Sequence, residues 1–336
     1  MRAIIIVFLT VLLQVLPARA FAPESPEPIR IVLSTWSSQQ ILAKVTGEIL
    51  RRIGYRVRYT PMTVDDQWGA LTRGFTHFQV EVWEGTMDAE SSRLLSEGRL
   101  ADLGAHALLT REEWWYPAYV EEICPGLPDW RALNRCAALF AVPETAPKGR
   151  YLTGPWEKPE RARVRALGMD FEVVEVKGAE ELWRQLGEAL EKRMPIVLFN
   201  WTPNWVEARH QGRFVEFPEW APECETDPAW GTNPDFLYDC GNPTRGWLKK
   251  VAWPGLERKW PCAHRLLRNI SFTAPMISEL LAWVYADGMS RDQAAIRWVE
   301  TRRSVWEPWI PPRCATTAAH RTPGSPAGND TPRTDP

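Results

Sequence analysis

Trp201 and Trp205 flank a Thr-Pro-Asn turn in the stretch Phe199-Asn200-Trp201-Thr202-Pro203-Asn204-Trp205, directly after the apolar run 195–198. A run of that length and type reads as a buried strand, and the proline ends its pairing, which places both indoles at the strand's C-terminal edge. Open α/β sheets bind ligands at that edge. A quaternary ammonium has no N–H to donate, so a protein holds it by surrounding its diffuse charge with aromatic faces. Reversible capture of such a cation is the chemistry these residues suit. Either Trp taken alone fits an ordinary core position equally well.

The rest of the chain repeats the pattern. Residues 29–33 read as a strand that runs out into Trp36, and 77–82 as a strand that delivers Trp83 and Glu84. Trp156 ends the Gly/Pro loop 148–156, ahead of a helix at 159–167. Trp68 lies on a short helix begun by Asp65 and Asp66, and Trp183 on the core face of the helix 179–192. Ser37 with Gln40 fits a capping box, Ile41, Leu42, Val45, Ile49 and Leu50 share one helical face, and Gly54 is placed to end the helix. With a strand at 55–59, this makes a βαβ unit of a parallel sheet. Trp114-Trp115-Tyr116-Pro117 interrupts the first set of elements and is read as a crossover or hinge wall. Helices are expected at 275–287 and, opened by a second Ser-x-x-Gln box, at 290–303.

Composition narrows the partners. The 40 basic and 42 acidic residues balance, with no basic block, which argues against nucleic acid and against a charged membrane surface. Nineteen Trp are the anomaly, because Trp favours interfaces and ligand sites. Arg2, the apolar run 4–13 and Ala18-Arg19-Ala20 form an export signal over 1–20. No Cys precedes Cys124, so the cleavage site lacks the cysteine that lipid anchoring needs, and a free periplasmic protein is expected. The chain beyond the leader is long enough for two lobes of roughly 100 to 150 residues each. In an exported chain the six cysteines read as disulfides. They allow many connectivities, the nearest-neighbour set being Cys124 with Cys136, Cys224 with Cys240 and Cys262 with Cys314. No C-x-x-C pair or His cluster suggests a metal. The segment 224–260 reads as a long ordered loop held by a disulfide, and the composition from residue 315 as a disordered tail.

From the first strand to Trp205, the chain resembles the substrate-binding proteins of bacterial glycine betaine/proline betaine ABC importers, and the resemblance covers most of residues 29–310. Its most specific part is the motif at 199–205, which is similar to that family's Trp-x-Pro-x-Trp element; Val82-Trp83 and Leu152-Thr153-Gly154-Pro155-Trp156 follow in the right order. The resemblance implies a two-lobed α/β fold of the type II-like periplasmic binding class. Each lobe would be a central β-sheet flanked by helices, with the ligand in the cleft between them. We expect the first lobe at 29–114 and 225–312 and the second at 115–224. The resemblance further implies a box of Trp83, Trp156 and Trp201, with Trp36, Trp68 and Trp205 as neighbours. No cofactor is implied, and the partners would be a permease and its ATPase complex, served by a monomer.

Two features depart from the family. Glu84 follows Trp83 where a neutral residue is usual, and the Cys-bearing loop 224–240 is an addition. A carboxylate beside the cage would repel a betaine's own carboxylate and favour a ligand with cationic or hydroxyl character, such as choline. Glu84 is therefore a candidate ligand contact, although solvated or hydrogen-bonded acids are the default reading of Glu81 and Glu84. The rival class is an exported glycoside hydrolase or carbohydrate-binding protein, since indoles stack on sugars and glycosidases need paired carboxylates. Glu81 and Glu84 are its nearest candidates, and the sequence holds no H-E-x-x-H, G-x-S-x-G or P-loop motif.

Overall fold

The computed structural model describes residues 22–156 and 158–314. The export signal read at 1–20 and the tail from 315 lie outside them. Among the described residues, ten strands form two five-stranded sheets. The first has the order β2-β1-β3-β10-β4, from β1 (Ile29–Leu33), β2 (Val57–Pro61), β3 (Phe78–Trp83), β4 (Ala101–Ala105) and β10 (Leu248–Ala252). The second has the order β7-β6-β8-β5-β9, from β5 (Arg111–Pro117), β6 (Gly149–Thr153), β7 (Phe171–Glu175), β8 (Val197–Thr202) and β9 (Gly212–Phe214). In each sheet the first three strands are parallel and the fourth is antiparallel. The expected βαβ unit is present: β1 pairs in parallel with β2 across the helix Ser37–Arg52. The parallel strands of both sheets end at the cleft between the lobes.

The sheets are mixed because the chain passes between lobes twice, and each passage supplies an antiparallel strand. The 114/115 division falls inside β5, all of which pairs within the second sheet, so the first crossover lies ahead of Arg111. Trp114, Trp115 and Tyr116 are thus core residues rather than hinge walls, each fully buried on β5. Trp114 stacks on Tyr151 with ring centroids 3.7 Å apart, and its indole N–H donates to Glu160 at 2.7 Å. The second crossover returns between β9 and β10. The two crossovers meet at Thr110 and Gly246, whose backbone N–H and C=O groups are exchanged at 2.8 and 2.9 Å. This pair forms the hinge.

Local signals mostly hold. The Ser290 capping box with Gln293 is complete, whereas that at Ser37 is not formed. Instead, the Gln39 side chain accepts from the Ser34 amide, Gln40 donates to the Ser34 carbonyl, and Trp36 takes the N-cap position. Gly54 has φ +103°, the left-handed conformation expected just past that helix.

The cysteines pair as Cys124–Cys136, Cys224–Cys240 and Cys262–Cys314, and no cysteine is free. The loop between Cys224 and Cys240 belongs to the second lobe: Asn233 donates to the Ala166 carbonyl at 2.7 Å, and the Arg165 guanidinium lies over Phe236. Removing native cross-links releases entropy in the unfolded chain and costs about 2–4 kcal/mol each. A strong reductant should therefore lower the melting temperature by several degrees. Identical melting curves with and without reductant, with thiols titratable in the reduced sample, would show that stability does not rest on them.

Candidate ligand-binding site

Four indoles close on one cavity in the cleft. It is lined by Trp36 and Trp83 from the first lobe and Trp156 and Trp201 from the second, together with Phe199, Met87, Thr86 and Glu112. The rings close on one another so tightly that the cavity is about 20 Å³, little more than the room one water needs. Each indole arrives at the C-terminal end of a parallel strand. Trp36 and Trp83 are the N-caps of the helices that follow β1 and β3. Trp201 lies on β8, two residues from Phe199 and so on the same face. Trp156 sits beyond β6, edge-on to Trp201 with centroids 5.4 Å apart. Its ring folds back over Gly154, where a Cβ would stand 2.5 Å from the indole.

One buried carboxylate fixes the first-lobe half of the cage. Glu81 Oε2 accepts from Trp36 Nε1 at 2.7 Å, Trp83 Nε1 at 2.9 Å and Ser38 Oγ at 3.0 Å. Glu81 is fully buried on β3. Held by their N–H edges, the two rings are free to turn their faces to the cavity. The indole N–H groups of Trp156 and Trp201 are buried without a protein hydrogen-bond partner.

The acid at the cage is not the expected one. Glu84 turns to the hinge, where its Oε2 accepts from the Trp247 amide at 3.0 Å. Glu112 lines the cavity instead. It stands on β5 opposite Trp201 of β8, and because β5 is antiparallel its start meets the ends of the parallel strands. Glu112 accepts from the Thr86 hydroxyl across the cleft and lies 3.5 Å from Lys158 Nζ. Lys158 in turn donates to the Gly85 carbonyl of the first lobe at 2.6 Å. Beyond Thr86 and Lys158 the cleft widens into an outer recess bounded by Glu84, Asp88, Trp220, Glu225, Tyr238 and Asn242.

Trp68 and Trp205 do not line the cavity. Trp68 is buried in the first lobe's core. Trp205 begins the helix Trp205–Arg209, capped by the Asn204 side chain at 2.7 Å, and stacks on Tyr285 of the first lobe with centroids 5.1 Å apart. With the Arg291–Glu180 ion pair at 2.5 Å, it joins the lobes at a second place besides the Lys158 contact. The carboxylates of Glu81 and Glu84 are engaged by different partners and do not flank a common space.

A two-lobed α/β protein with an aromatic cage in its cleft is a solute-binding protein of the kind that serves ABC importers. This chain belongs to the family described as the substrate binding domain of ABC-type glycine betaine transport systems, which matches residues 27–301. It is 32% identical over 297 residues to a trimethylamine N-oxide-binding protein of Pelagibacter ubique, covering 86% of this chain and 92% of that one. Its fold is similar to the glycine betaine/L-proline-binding protein of Borrelia burgdorferi, with TM-score 0.67 and 18% identity over 87% of this chain and all of that one. It is also similar to an ABC-transporter choline-binding protein solved with choline, with TM-score 0.67 and 19% identity over 86% of this chain and 93% of that one. Among the described residues, no helix is long and apolar enough to cross a membrane.

Burial pushes the Glu81 carboxyl from 4.5 up to about 7, although its three donors favour the ionised form. Between those values the folded chain keeps a proton that the unfolded chain has released. Stability should therefore fall by about 3 kcal/mol as pH rises through this window and stay level above it. Melting temperatures against pH for the wild type and Glu81→Gln should differ by this descent, which the variant lacks. Parallel curves would mean that Glu81 titrates alike in both states.

Proposed function

We propose that this chain is the exported, periplasmic binding component of an ABC importer. It captures a compact trimethylammonium-type ligand between Trp36, Trp83, Trp156 and Trp201 and delivers it, as a monomer, to a membrane permease and its ATPase. The observation that carries the reading is the cage itself, four indoles contributed by both lobes around one small cavity. Indole faces supply attraction for a methylated ammonium head without needing its hydrogen bonds. Because the rings come from both lobes, a bound head group favours the closed arrangement, and closure is what a permease can read.

The ligand that best suits the cavity is trimethylamine N-oxide. The cavity is small, and its polar lining is confined to Thr86 and Glu112. An amine oxide presents one acceptor oxygen next to its methyl groups. The relationship to the Pelagibacter ubique protein supports the same choice. Choline is the second reading, favoured by Glu112, which can accept a hydrogen bond from its hydroxyl. A glycosidase is disfavoured, because Glu81 is committed to two indoles and Glu84 to the hinge amide.

Titration calorimetry with trimethylamine N-oxide, choline, glycine betaine and an oligosaccharide tests the reading. Trimethylamine N-oxide should bind most tightly. Trp201→Ala should weaken that binding about a hundredfold, the loss of a desolvated cation–π wall of about 2 kcal/mol together with its packing, while the circular dichroism spectrum stays unchanged. Sugar binding, or undiminished binding by the variant, would remove the cage from the function.

A further inference from the structure

We infer that Lys158 sets the charge of the cage by neutralising Glu112, and that this makes the site select net-neutral methylated amines over monocations. The inference rests on the reading of the cage given above. Glu112 is the one carboxylate among the residues lining the cavity, and alone it would favour a cation whatever its other end carried. Lys158 does not line the cavity. Its ammonium stands behind Glu112 at 3.5 Å, with side-chain exposures of 1% for Lys158 and 7% for Glu112, so water screens the pair little.

The ammonium has no freedom to leave. Its Nζ is fixed by the Gly85 carbonyl at 2.6 Å and lies 5.6 Å from the centre of the Phe199 ring. Gly85 permits the approach: a Cβ there would stand 2.6 Å from Glu112 Oε2 and 3.1 Å from Lys158 Nζ. The pair is thus built into the seam between the lobes. With the charge of Glu112 cancelled, the wall holds a methylated head by its ring faces, and the acid that remains near it, Glu81, is taken up by the Trp36, Trp83 and Ser38 donors, so an uncompensated positive charge gains less there. A ligand that carries its own negative end, such as an amine oxide or a betaine, is favoured over choline. One charge acting over several ångströms in a partly screened wall changes an affinity by about tenfold or more. Lys158 acts through Glu112 and is a positioning residue.

The test is the ratio of choline affinity to trimethylamine N-oxide affinity, measured by calorimetry at pH 8 for the wild type, Lys158→Met, Lys158→Arg and Glu112→Gln. Lys158→Met should raise the ratio about tenfold and Glu112→Gln should lower it by a similar factor, while Lys158→Arg keeps the wild-type value. Equal loss for both ligands in Lys158→Met, with the ratio unmoved, would make Lys158 a structural latch only and overturn the inference. If Lys158→Met does not fold, the double variant Lys158→Met/Glu112→Gln decides: the wild-type ratio is expected, and a ratio like that of Glu112→Gln overturns the assignment. A wild type that binds neither compound would overturn the cage reading and this inference with it. Wild-type binding with an unmoved ratio in both single variants would overturn the inference alone.

Discussion

An indole that faces a cation must have its orientation fixed, and a partner for its N–H edge is one way to fix it. Here that task falls to Glu81, a carboxylate with no access to water that gathers the N–H groups of Trp36 and Trp83 onto one oxygen. Burying an acid is costly unless it is hydrogen-bonded. The cost is offset in part by three donors on one oxygen, two of them the very groups whose orientation the cage needs, while the other oxygen is buried without a partner. The strand β3 makes this possible, because Glu81 and Trp83 are two residues apart and share a face. The first-lobe half of the cage is therefore a single hydrogen-bonded unit. The second-lobe half depends on ring packing, with Trp201 wedged between Trp156 and Trp183.

The two sheets give the cage its location. Parallel strands β1, β3, β6 and β8 all end at the cleft, and each delivers an indole there or just beyond. The antiparallel strand β5 begins at the same edge and adds the one acid. In two places the lobes are tied by side chains: Lys158 and Thr86 in one, the Trp205–Tyr285 stack and the Arg291–Glu180 pair in the other.

Much of this was legible in the sequence because it rests on local signals. Apolar runs ending in Trp predicted β1, β3 and β8, and the four cavity indoles were among the six Trp singled out. Trp68 and Trp205 were misplaced because sequence position near a strand end does not say which way a ring points. Trp205 enters a capped helical turn and meets the other lobe. Glu112 escaped notice for a topological reason. Its strand, rich in Glu and Trp, has no clean alternation, and only the antiparallel pairing brings its start to the binding edge. The carboxylate expected to meet the ligand was therefore assigned to Glu84, the acid next in sequence to Trp83, while the acid that lines the cavity lies on the other lobe. The strands β6 and β10 were hidden in the same way, inside stretches whose Gly, Pro and Trp content reads as loop.

The paired crossovers at Thr110 and Gly246 carry a consequence for the mechanics of the whole molecule. Two separate linkers would let the lobes twist, slide and bend relative to each other. Two linkers hydrogen-bonded into a ribbon resist shear along their length and torsion about it, and yield most easily by flexing across their width. Flexing of this short ribbon is thereby the easiest way for the lobes to part. The pair lies two residues from Glu112 and against Glu84, so the register in which the ring faces meet rests on two peptide groups beside the cage.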